Sequence, residues 1–139
     1  MTAREILLAL AARCEAATGA DREIDLAIFR VLHPEYAGPE WQPFGNGLRH
    51  VNDSSDVRCL PPPSMTPSRW TASLDAAMTL ACDEWDSMDL FRDAGEWFCV
   101  VKAQGKGGVY RELARVHHAT PALALCAAAL SARAESLIC

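Results

Sequence analysis

Apolar and polar positions in the first 32 residues alternate with the spacing of helices. Ile6, Leu10, Cys14 and Ala17 fall on one face of a run that opens with Thr2 and Glu5. That pair forms a capping box, in which each side chain satisfies a free N–H of the first turn. Gly19 offers a stop. Asp21 caps a second run, DREIDLAIFRVL, whose Ile24, Ile28 and Val31 or Leu32 make another stripe. Pro34 ends it by pushing His33 out of helical geometry. With only TGA between them, the two runs predict a helical hairpin over 1–32. A third helix is predicted over 71–84, where Thr71 or Ser73 caps TASLDAAMTLACDE and Leu74, Ala77, Met78 and Ala81 form the stripe.

The period then changes. EWFCVVKA and VYRELARV flank the glycine-rich QGKGG, which predicts a β-hairpin over 97–116. Trp97, Cys99 and Val101 lie on one face of its first strand and Phe98 and Val100 on the other, so helices are expected above and below. GKGG is not a phosphate loop: a strand follows it, and neither Ser nor Thr follows Lys106. His117 and His118 are neighbours on a strand and diverge, so they cannot readily share a metal ion. Thr120 and Pro121 then open a final helix over 120–137, apolar on all sides in its first turns and therefore buried on more than one side. Seven of the eight prolines fall between Pro34 and Pro67. Within that Pro-rich segment, 33–70, GLRHV, NDSS and DVRCL predict a hairpin, and LPPPSMTPSR an extended connector.

TASLDAAMTLA and TPALALCAAAL echo each other, each opening with Thr, reaching Leu three residues on and continuing alanine-rich. The pattern predicts one α+β domain, residues 1–139, built as an α–β–α layered sandwich around a central antiparallel sheet of about four strands. WTASLDAAMTL (70–80), ATPALALCAAALSARAE (119–135) and CEAATGADREIDLAI (14–28) resemble the small phage and prophage proteins grouped as the phage ABA sandwich domain family. The motifs occur in that family's order and near its spacing, over less than half of the chain. The resemblance implies an α–β–α sandwich and a phage-derived origin, and it carries no catalytic residues to transfer. Where those proteins continue with a Pro-Glu-Gly-Trp turn, this chain reads CDEW and adds an acidic insertion.

Charge narrows the functional classes. The net charge is −5, Lys102 and Lys106 are the only lysines, and no basic run exists, which disfavours binding to nucleic acid through phosphates or to an anionic membrane. The N-terminal apolar run, Ile6 to Ala12, is too short and too soon interrupted by charge for a signal peptide, and no stretch is long enough to span a bilayer. The expected location is the cytoplasm. Six cysteines without a CxxC pair read as reduced packing thiols.

From Asp83 to Glu96 six acidic residues face only Arg92, and this segment carries the whole net charge. It reads as a connector. Its carboxylates, Asp83, Glu84, Asp86, Asp89, Asp93 and Glu96, with Trp85 and Phe91 as aromatic anchors, form the expected partner-binding patch for a host protein with a basic surface. A solvated connector with its aromatic residues tucked into the core is the plainer alternative. No catalytic, cofactor or metal residues are assigned. The EF-hand spacing fails, GxSxG is missing, and paired carboxylates need a cleft to do acid–base work. The leading expectation is a non-enzymatic phage accessory protein, with a counter-defence inhibitor of the anti-CRISPR type as its specific form. A small-molecule or nucleotide-binding module stacking on Trp41, Trp70, Trp85 or Trp97 is the alternative, and a hydrolase or transferase comes last. The apolar last helix permits a homodimer as readily as a monomeric core.

Overall fold

A computed structural model describes residues 2–44, 47–51 and 67–136. Helix α1 runs Ala3–Ala16 behind the expected capping box: Glu5 N–H donates to Thr2 Oγ1 at 3.2 Å and Thr2 N–H donates to Glu5 Oε2 at 2.7 Å. Its buried stripe is Leu7, Leu10, Ala11 and Cys14, and Ile6 is turned outward. Gly19 is not the stop, for its backbone is not left-handed. The helix ends because Ala17 is extended and its carbonyl is taken by His118. Helix α2, Arg22–Leu32, is capped by Asp21 and buries Ile24, Ile28 and Phe29. Asp25 of α2 is buried too, accepting from Thr71 N–H and Thr71 Oγ1, both at 2.9 Å. A buried carboxylate needs such donors, and these fasten α2 to the turn before the third helix.

GLRHV does lie in a hairpin, but as its second strand. β1, Trp41–Phe44, pairs antiparallel with β2, Gly47–His50. The expected partner DVRCL and the proline run Pro61–Pro63 lie outside the described residues. Helix α3 is Leu74–Met78, much shorter than 71–84. Two competitors end it. The Thr79 hydroxyl donates to the Ala76 carbonyl at 2.6 Å, and the Leu80 carbonyl accepts from Arg133 Nε at 2.9 Å. The chain after α3 delivers Leu80, Cys82 and Trp85 into the core.

Among the described residues three strands form the larger sheet: β3 (Ser87–Asp93), β4 (Glu96–Gln104) and β5 (Tyr110–His118), antiparallel in the order β3-β4-β5. The expected acidic connector is therefore a strand and a tight turn. Met88 and Leu90 alternate with Asp89 and Phe91, so the segment has one face to bury and one to leave outside. Ala94 and Gly95 close β3 onto β4 with φ of 53° and 84°, the left-handed pair that a two-residue hairpin requires.

Helix α4, Pro121–Ser136, is the axis of the molecule. It packs on β4 and β5 with one side and on α1 and α3 with others. Every residue from Ala122 to Leu130 is buried, as are Ala132 and Ala134. Its alanines let four elements approach one helix, while Leu123, Leu125 and Leu130 supply roughly 1.5–3 kcal/mol each by burial. The protein is thus α+β, with a three-stranded antiparallel sheet carried on a buried helix.

Candidate functional site

The two faces of the β3-β4-β5 sheet differ. Met88, Leu90, Trp97, Cys99, Val101, Ala114 and Val116 belong to the core over which α4 lies. The alternate residues form the outer face, and the register sorts them into rows. Phe91, Phe98 and His117 share one row, and Asp89, Val100 and Arg115 the next. Phe91 stacks on Phe98 with centroids 5.6 Å apart and planes 8° from parallel, and Phe98 meets His117 at 5.4 Å. Glu96 Oε2 pairs with His117 Nδ1, and Glu112 pairs with Arg115 at 2.7 Å. Val100 is buried yet lies off the main core. The outer face therefore presents an aromatic row across three strands, with ionic groups around it.

The expected patch residues do not all gather there. Trp85 is 9% exposed and sits in the core, so it is no surface anchor; its indole N–H has no hydrogen-bond partner among the described residues. Asp83, Glu84 and Asp86 are exposed before β3 begins, while Asp93 and Glu96 flank the turn at its far end. A seven-residue strand separates these groups by about 20 Å. Asp89 is exposed between them, and Phe91 is 43% exposed on the same face. The patch is a charged line along an edge strand, which also discourages edge-to-edge pairing of sheets. Phe98, Val100, Arg115 and His117 complete the surface and were not expected in it. The alternation of EWFCVVKA places Phe98 and Val100 on this side, but apolar side chains there suggested a covering helix, and no described helix supplies one.

The histidines part as strand neighbours must. His118 is buried. Thr120 N–H donates to its Nδ1 at 2.9 Å, which leaves the proton on Nε2 to donate to the Ala17 carbonyl at 2.6 Å. One imidazole thus joins the end of α1 to the start of α4. Among the described residues no group of three or more His, Cys, Asp or Glu side chains is placed to hold a metal ion.

Cysteines correct another expectation. Cys14, Cys99 and Cys126 are free and buried, but Cys82 is disulfide-bonded, to none of these three. Burial pushes the Cys14 and Cys99 thiols up to about 12 and the Cys126 thiol further still. Cys126 Sγ donates to the Trp70 carbonyl at 3.2 Å. Thiols held protonated in this way are poor nucleophiles.

A concavity of about 650 Å³ lies between α1 and α2, with Ile6, Leu10, Leu26, Ala27 and Val31 in its walls and Arg13 and Arg30 beside them. No tryptophan lines it; Trp70 is in the core with its indole N–H on Thr79 Oγ1. No described helix is long and apolar enough to cross a membrane. Comparison of the chain with protein-family models, curated proteins and solved structures gives no match.

Proposed function

We propose that this chain is a non-enzymatic binding protein that docks another protein on the outer face and acidic edge of its three-stranded sheet. The observation that carries the reading is Phe91, 43% exposed in an aromatic stack, with Asp89 beside it on the same face. An exposed ring held rigid by a neighbour loses little freedom on binding, and such rings supply the desolvated centre of interfaces. The carboxylates along β3 give the surface a sign and steer a basic partner.

The resemblance to the phage ABA sandwich domain family extends the proposal. A phage-derived accessory protein would meet a host protein in the bacterial cytoplasm, and an inhibitor of the anti-CRISPR type is its most specific form. A complete α–β–α sandwich with a fourth strand belongs to the same proposal.

The test is a binding titration against host proteins retained by the immobilised chain and then identified. Phe91→Ala is expected to weaken a genuine partner by about 2 kcal/mol or more. Reversing Asp86, Asp89 and Asp93 to lysine is expected to abolish the remaining binding while leaving the fold intact. Unchanged affinity in the charge-reversed protein would show that the acidic strand is not the docking surface.

The groove between α1 and α2 favours a second reading, a small-ligand module for an apolar molecule rather than a stacked nucleotide. Ile6→Arg, which fills the groove with charge, would then remove a ligand-induced thermal shift that Phe91→Ala leaves in place.

A further inference from the structure

The outer face of the sheet is built to match itself. Its middle row runs Asp89 on β3, Val100 on β4 and Arg115 on β5, and its aromatic row runs Phe91, Phe98 and His117 in the same strand order. In the middle row the negative charge is on one edge strand, the positive charge on the other and Val100 between them; Arg115 also holds Glu112 of its own strand, and Glu96 and Lys102 lie towards the ends of β4. A surface of that kind is complementary to its own copy under one operation. A two-fold axis lying along β4, in the plane between two facing sheets, preserves the rows and exchanges the edges. It sets β3 of one protomer over β5 of its partner.

We propose that two copies of this chain associate face to face about that axis. Each Asp89 then faces an Arg115, each Phe91 ring a His117, and the two Phe98 rings meet near the centre, beside Val100 side chains that are already buried within each copy. Such isologous contact is the commonest way for identical chains to pair, and aligned sheets pack about 10 Å apart with strands turned about 30°. The axis also brings Lys102 towards Lys102 and Glu96 towards Glu96. These pairs fall towards the ends of β4, where twisted sheets splay, and Glu96 is already held by His117. Three strands of seven to nine residues offer roughly 400 Å² per copy, about half of a standard interface. The dimer is therefore weak and its population rises with concentration.

This inference rests on the reading of the outer face as a protein-docking surface and names one occupant. It also implies regulation, because a basic host partner reaching Asp89 and Phe91 must displace the second copy.

Charge swapping tests it. The concentration dependence of the sedimentation coefficient is compared for the wild type, Asp89→Arg, Arg115→Asp and the double variant carrying both. Self-association is expected in the wild type, weaker by at least tenfold in each single variant and restored in the double variant, whose face is again self-complementary. A wild type that stays monomeric to millimolar concentration overturns the proposal, as does self-association that neither single variant weakens. Weakening without restoration would overturn the facing pair. Circular dichroism of each variant shows that it is folded. The host-binding reading fails differently: a basic host surface is lost with Asp89→Arg, is indifferent to Arg115→Asp and gains nothing from the double change.

Discussion

His118 occupies a position where a single side chain closes two helix ends. Its Nε2 proton serves the Ala17 carbonyl at the end of α1, and its Nδ1 takes the Thr120 N–H ahead of α4. Two buried hydrogen bonds of this kind, and the polar groups left unpaired on their removal, make His118→Ala cost about 2–4 kcal/mol in urea unfolding. A loss below about 0.5 kcal/mol would contradict the role. His117, one residue away, is outside, and its replacement by alanine costs little stability. The thiols make a pH argument at the same scale. Cys14 and Cys99 titrate near about 12 in the folded protein, against about 8.5 for a free thiol. The unfolded chain loses its thiol protons first, so this contribution is complete below about pH 8.5 and is lost as pH rises towards the folded value. Urea midpoints fall between about pH 8 and about pH 10, and the fall is shallower in Cys14→Ala. An equal slope in wild type and variant would sink the explanation.

At the scale of elements, the turn between β3 and β4 carries a recognisable strain. Ala94 stands at φ 53° where a side chain has to accept left-handed backbone, next to Gly95, which accepts it freely. Ala94→Gly or Ala94→Asn is expected to raise stability by about 0.5–1 kcal/mol, and a destabilised variant would mean that the turn is of another kind. The same turn explains what the sequence hides. Capping chemistry at Thr2, Asp21 and Pro121 is local, so α1, α2 and α4 can be read from their own residues. β3 cannot, because its alternation of Met88 and Leu90 with Asp89 and Phe91 is short and buried under a run of negative charge that looks like a loop. The end of α3 was illegible for a different reason: Arg133, more than fifty residues away, claims the Leu80 carbonyl. The docking face was half legible. Asp89 and Phe91 stand out by charge and aromaticity within one segment, whereas Arg115 and His117 become their neighbours only through pairing across β4.

For the whole molecule, the arrangement of layers decides which surface is left for work. α4 lies in the core between α1 and α3 and the inner face of the sheet, so the last helix is spent on the monomer's own packing and is not available for a dimer. The sheet's outer face, with its aromatic row and with Asp89 and Arg115 at opposite ends of the next row, is the broad surface without a described helix over it. Backbone amide shifts recorded by NMR from micromolar to millimolar protein test that claim most directly. Self-docking through this face predicts concentration-dependent shifts at Asp89, Phe91, Phe98, Val100, Arg115 and His117, with α1 and α2 unmoved. Shifts that instead gather around Ile6, Leu26 and Val31, or a spectrum that does not change with concentration, would contradict it.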